Sequence, residues 1–582
     1  MSTETEVGVT PTTLDDGHRG STLPDTRENG HPPARPATLE PRHGTAAAPA
    51  PAKPATAKPA PAKPAAPAAP EQPGPRSNWL VPLLVLVVGM FMSVLDISIV
   101  NVAISTMQND FGATTDQIQW VSTSYSLAEG VIVPASAWLG ARLGLSRTYT
   151  FAMIGFAIFS AFCGLAWDVH SMIVFRILQA IPGGVIPVVA LSMLYKIVPK
   201  KSIGGAMGIY GLGIVFAPAI GPTFGGYLVE YVDWRLIFFI NVPVGVLGVL
   251  GAVLLLPRFH PEPGMKFDLP GFLAIAVGAF SLLLALSEAP TWGWTSYPTL
   301  ILIVLGVLCL ALFVVIELEV DQPLLDVRVF RTWAFSNSLI LIAIVSVGLF
   351  GVLFYIPLYL QQFQNMGAFD TGLLLLPQAL VMAVIMPMAG QIYDRFGSRW
   401  PAAIGLAIVA YATWDMATLT TDTPHGHLEL VLAIRAAGIG LAMMPIMTGG
   451  MASLPPAFTS NGSAFNTVVQ RTSSAIGLAA MTALMTLQQA QGLADRSGLM
   501  SSSGSGGMAS SGASSAASSG GASSAFVQQY SMHETLQSQV FITALNDLLM
   551  VTAILTAIGV PLALMLPSGR PAAHEGPRVI EG

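Results

Sequence analysis

From residue 79 onward the chain alternates long apolar runs with short polar turns. Runs such as 79–100 and 300–316 hold almost no charge. Crossing a bilayer core takes about 20 residues of helix at about 1.5 Å each. The pattern predicts spans near 80–103, 119–139, 148–167, 171–194, 204–229, 235–256, 270–288, 298–317, 335–360, 373–393, 400–420, 428–453, 462–486 and 541–566. The expected fold class is an all-α polytopic membrane protein of about fourteen spans.

Lysine and arginine placement supports that count. Alternate turns hold Arg142, Arg147, Lys196, Lys200, Lys201, Arg258, Lys266, Arg328, Arg331, Arg395 and Arg399. The opposite turns hold only Arg235 and Arg496. Basic residues stay on the cytoplasmic side, so the expectation is a multi-pass protein of the plasma membrane with both termini cytoplasmic. Dropping one span would scramble the asymmetry.

Composition sharpens the picture. Of 582 residues, 53% are hydrophobic and 10% charged, against about 25% charged in soluble domains. So little charge cannot cover a water-facing surface. Residues 1–77 are rich in Pro, Ala and Thr and read as a disordered cytoplasmic tail. The first apolar run starts too late for a cleavable leader. A Ser/Gly/Ala tract at 501–524 marks 487–540 as a flexible extracytoplasmic loop, and 567–582 as a second cytoplasmic tail. Two cysteines, Cys163 and Cys309, lie in apolar runs and suggest neither a disulfide framework nor a metal site. No Walker A sequence is present, which argues against ATP as the driver.

An internal repeat is visible. After span 2 the chain reads Gly140-Ala141-Arg142-Leu143-Gly144, and after span 10 Tyr393-Asp394-Arg395-Phe396-Gly397, with Gly390 shortly before. Aligning Arg142 with Arg395 aligns the glycines. Further on, Arg176 and Arg435 each sit inside a span. The two units are spans 1–6 (78–258) and 9–14 (334–566), with spans 7 and 8 (259–333) as an inserted pair. Repeated bundles with a site between them are a transporter plan.

These motifs, with Asp96-Ile97-Ser98-Ile99-Val100-Asn101 in span 1 and Gly221-Pro222-Thr223-Phe224-Gly225 in span 5, resemble the fourteen-helix drug:proton antiporter branch of the major facilitator superfamily, EmrB/QacA type. The resemblance implies a major facilitator fold of two six-helix bundles plus two linker helices. It also implies export of lipophilic or cationic drugs and toxic compounds by alternating access, driven by protons. It marks Asp96 as a functional acid and Arg176 as important for proton transfer. Residues Arg142, Gly144, Gly221, Pro222, Gly225, Gly390, Asp394, Arg395, Gly397 and Arg435 become conformational motifs. Ala141 stands where the family's first loop usually has aspartate, so Asp394, pairing with Arg395 or Arg399, becomes the expected latch.

Polar groups deep in spans are the candidate chemistry. A charged side chain in hydrocarbon costs about 2.5–3.5 kcal/mol or more and so faces the bundle interior. Asp96, Glu129 and Arg176 are the expected proton-coupling set. Asp96 has a blander reading, a packing carboxyl bonded to Ser98 or Asn101. For Arg176 the blander reading is a static ion pair. The expected substrate cavity gathers Asp96, Asn101, Tyr125, Glu129, Gln179, Asn466, Gln470 and Arg471. Cationic or neutral lipophiles suit two buried acids. No cofactor, metal, nucleic-acid partner or enzymatic set is expected, and a monomer suffices for small molecules and protons in a lipid bilayer. Export of one endogenous metabolite or lipid, and a non-transporting receptor or scaffold, are the competing readings.

Overall fold

The computed structural model describes residues 78–262, 264–364, 366–420, 422–504 and 521–568. The expectations for the tail 1–77 and for 569–582 lie outside them. The helices are α1 (Leu80–Phe111), α2 (Thr115–Leu143), α3 (Leu145–Gly164), α4 (Val169–Ile197), α5 (Ile203–Tyr231), α6 (Leu236–Phe239), α7 (Asn241–Leu255), α8 (Leu269–Trp292), α9 (Tyr297–Glu319), α10 (Trp333–Phe363), α11 (Ala368–Phe396), α12 (Arg399–Met416), α13 (His425–Ala452), α14 (Thr459–Gly504) and α15 (Gly521–Leu564). With α6 and α7 counted as one interrupted span, helices occupy all fourteen expected positions. Eleven are long and apolar enough to cross a membrane, and α2, α12 and α14 fall short. Ser, Thr, Gln and charged residues interrupt those three.

Local chemistry sets the helix ends. Thr114 and Gln117 cap α2 reciprocally, as Asp168 and Ser171 cap α4. The Ser171 hydroxyl and amide hold the exposed Asp168 carboxyl below its ordinary range. Gly144 and Gly397 close α2 and α11 at φ of +87° and +78°. That region penalises any Cβ, and a Cβ on Gly144 would also strike the Phe259 carbonyl. The two loop-motif glycines are therefore turn residues.

The packing order follows from contacts. α5 lies against α1 on one side and α11 on the other, and α2 against α4, α8 and α14. α12 packs against both α13 and α15. The α8–α9 hairpin rests on α2 and α14 through α8. α9 has the highest mean hydropathy of the candidate spans, 3.3, yet only 17% of its window is buried. An exposed apolar helix is stable only where lipid covers it.

One segment departs from expectation. Residues 487–504 continue α14, and 521–540 begin α15. The flanks of the supposed loop are rich in Ala, Leu, Gln and Met, which favour helix. Residues 505–520 lie outside the described set.

Candidate functional site

Asp96 lies in α1 with no solvent-exposed surface, where a bare carboxylate would be prohibitive. Two neighbouring helices, α4 and α7, answer it. Arg176 of α4 meets Oδ2 at 2.6 Å, and Gln179, one turn further, donates to Oδ1 at 2.9 Å. Asn241, at the start of α7, donates to the same Oδ1 at 2.8 Å and to Ser160 Oγ at 3.0 Å. The Arg176 guanidinium also donates to Gln179 Oε1 at 2.9 Å and lies 4.0 Å from the centre of the Tyr125 ring. Buried charge is tolerated only when fully hydrogen-bonded, and this network meets that condition. All its members belong to α1–α4 and α7. Ser98 and Asn101, the expected alternative partners of Asp96, are engaged elsewhere: Asn101 accepts from Ser122 at 3.0 Å and is exposed.

Glu129 of α2 is the second buried acid, 3% exposed. Its partner is Arg471 of α14, at 2.9 Å. The angle falls outside hydrogen-bond geometry, so Oε1 is held by charge alone. This contact links the first repeat to the second. Leu283 of α8 packs over Gly130 beside it. Asn466, five residues before Arg471 on α14, spends its amide on the Gly462 carbonyl and leaves Oδ1 without a partner. Gln470 is half-buried.

The expected latch between Asp394 and Arg395 or Arg399 does not form. Asp394 Oδ1 and Oδ2 instead accept the amides of Gly204 and Gly205 at 2.9 and 3.1 Å. Those are first-turn N–H groups of α5, which have no partner inside their own helix and carry the positive end of its dipole. Arg395 is exposed, and Arg399 donates to the Leu566 carbonyl at 3.0 Å. Gly390 is required because α5 and α11 touch there: a Cβ on Gly390 or Gly204 would strike the other's carbonyl. Arg142 makes no ion pair within 4 Å among the described residues.

Two contacts between α1 and its neighbours were not given by the sequence reading. Pro187 has no N–H, so the Gly183 carbonyl in α4 has no helical partner. Ser93 of α1 donates to it at 3.2 Å. Pro222 likewise frees the Pro218 carbonyl in α5, and Ser98 of α1 donates there, also at 3.2 Å. Gly221 and Gly225 let α5 approach Ser98 and Ile99. The signal was in plain view as prolines inside spans, but which helix repairs each gap is set by packing.

A cavity opens between α5, α10, α11 and α13. It is lined by apolar residues with Gln378 and Arg435. None of the eight residues expected to form the substrate cavity lines it. Arg435 donates to the Gly348 carbonyl at 2.5 Å and to Thr413 at 3.2 Å. No carboxylate lies within 4 Å of it among the described residues.

Paired charges inside the bundle, prolines within its helices and a cavity between α5 and α10, α11 and α13 fit the plan of a secondary transporter. The Major Facilitator Superfamily profile matches residues 86–478, and the chain belongs to that superfamily. An uncharacterized MFS-type transporter of Bacillus subtilis, YhcA, is 37% identical over 404 residues, covering 69% of this chain and 76% of that protein. A multidrug resistance protein B homologue of Mycobacterium tuberculosis is 30% identical over 408 residues, covering 69% and 76%. The proton:xylose symporter XylE shares the fold, with a TM-score of 0.54 at 14% identity over 85% of this chain and 97% of that one.

Proposed function

We propose that the protein exports lipophilic compounds across the plasma membrane in exchange for protons. The observation that carries the proposal is the Glu129–Arg471 contact, a single buried acid bridging the two repeats. A protonated Glu129 has no charge with which to hold Arg471. Proton binding then removes one tie between the repeats, and proton release restores it. Asp96 and Arg176 form the second coupling pair, and Tyr125 and Gln179 keep the arginine in place when the acid is neutral. The family resemblance supports the antiport direction, and the relative named for multidrug resistance supports drugs as cargo.

Alternating access needs a face that closes and opens. The Asp394 cap on α5 is the closing contact, at the end that carries Arg142, Lys200 and Arg395. That end is cytoplasmic under the positive-inside rule. Protons loaded from outside reach Glu129, cargo leaves, and the repeats rock about α5 and α11. No covalent chemistry, cofactor or accessory chain enters this cycle, and one copy suffices.

The test is purified protein in proteoliposomes with an imposed pH gradient and a panel of dyes, metabolites and lipids. Gradient-driven movement of several unrelated lipophiles supports multidrug antiport. Movement of one metabolite alone, or of nothing, contradicts it.

A further inference from the structure

Three arginines sit deep in the expected spans, and they do not balance. Arg176 has Asp96 at 2.6 Å and Arg471 has Glu129 at 2.9 Å. Arg435, 3% exposed, has no acid within ion-pair distance among the described residues. The remaining buried acids, Asp268, Glu317 and Asp326, cluster around the ends of the α8–α9 hairpin. Asp268 and Glu317 cap or receive local amides there. Two interior acids are thus spent on two arginines, and one positive charge is left over.

That charge lines a cavity. Around Arg435 stand Ile214 and Pro218 of α5, Phe350 of α10, and Gln378 and Met382 of α11. Arg435 is the only charged residue of the lining among the described residues. Its known donations go to a carbonyl and a hydroxyl, which are neutral acceptors. A guanidinium offers five N–H donors in a planar fork that matches a carboxylate. Isolated buried charge is costly unless paired, so a cargo that brings the missing anion recovers that cost. Both acids that favoured cationic cargo are already neutralised by arginine.

We propose that the cavity between α5, α10, α11 and α13 binds a lipophilic monoanion, with Arg435 as the counter-ion of its carboxylate. The apolar body lies on Ile214, Phe350 and Met382, and Gln378 is the remaining polar contact. This rests on the transport reading only in naming the ligand as cargo. Binding itself needs no gradient.

The probes are 4-phenylbutyrate, its methyl ester and 4-phenylbutylamine, titrated calorimetrically into full-length protein in phosphatidylcholine nanodiscs. The expected result is at least tenfold tighter binding of the carboxylate than of either analogue. Arg435→Lys retains part of that preference and Arg435→Gln abolishes it. Equal or tighter binding of the amine or the ester overturns the proposal, as does a folded Arg435→Gln protein that keeps the tenfold preference. Loss of carboxylate binding when phosphatidylglycerol is added to the discs assigns the site to lipid headgroups and also overturns it. Should Arg435→Gln fail to fold, the three-ligand series on the unaltered protein decides. Failure of gradient-driven transport with the carboxylate preference intact counts against the antiport reading and leaves the site standing.

Discussion

Glu129 of α2 and Arg471 of α14 stand 2.9 Å apart and join the two repeats through one buried charge pair. Asp96 and Arg176 form the other pair, but wholly within the first repeat. The two acids are therefore not equivalent. Protonating Asp96 leaves its amide donors, Gln179 and Asn241, in place to hold a neutral acid. Protonating Glu129 releases a contact that has no second partner.

Removing one member of the inner pair should be costly. Arg176→Met leaves Asp96 charged in a closed site, and breaking a buried pair costs about 3–5 kcal/mol. The expected result is a large drop in melting temperature in detergent. Asp96→Leu combined with Arg176→Met should recover much of it, because both charges go. A single variant as stable as the parent would mean that Asp96 is not ionised in this state.

Ser93 and Pro187 should be coupled. Ser93→Ala leaves the Gly183 carbonyl without a partner, a loss of about 1–3 kcal/mol. Pro187→Ala restores the helical N–H and makes the serine dispensable. The double variant should therefore melt above the Ser93→Ala protein. Additive losses in the double-mutant cycle would show that Ser93 acts through packing and not through that carbonyl.

The α5–α11 contact should set which face is open. Asp394→Ala removes two bonds to the first turn of α5, and a lost helix cap costs about 1 kcal/mol. Spin labels on the neighbouring ends of α5 and α11 should then show the separated state enriched about fivefold. Gly390→Val should go further, since any Cβ there meets the Gly204 carbonyl. An unchanged distance distribution in both variants would remove Asp394 from the gating role.

The span pattern and the intramembrane charges were legible because lipid imposes a simple rule on both. Hydropathy and arginine placement located each of the long helices among the described residues, but not the helical stretches at 487–504 and 521–540. Asp96, Glu129, Arg176 and Arg471 stood out because charge is rare in apolar runs. Their partners were not all legible. Arg176 was expected to pair with a buried acid, but the contact from Glu129 to Arg471 spans most of the chain and is visible only after packing. Asn241 and Ser93 carried no signal of their own, and Ser98 was expected to bond Asp96, not the Pro218 carbonyl. Ser93 and Ser98 answer carbonyls on other helices, and Asn241 answers the Asp96 carboxylate. Asp394 was recognised as a latch, but its partners are backbone amides, which have no sequence signature. Arg435 was noted as a repeat counterpart of Arg176, and only the structure shows that no acid among the described residues lies within ion-pair distance of it.

The central claim is that proton binding at Glu129 is transmitted to the repeats through Arg471. Glu129→Gln, reconstituted in proteoliposomes, tests it most directly, with gradient-driven accumulation and gradient-free counterflow of the same dye measured side by side. The account predicts that counterflow persists while accumulation against a gradient is lost, and that transport no longer varies with pH. Gradient-driven accumulation at the parental level, with the parental pH dependence, would contradict it.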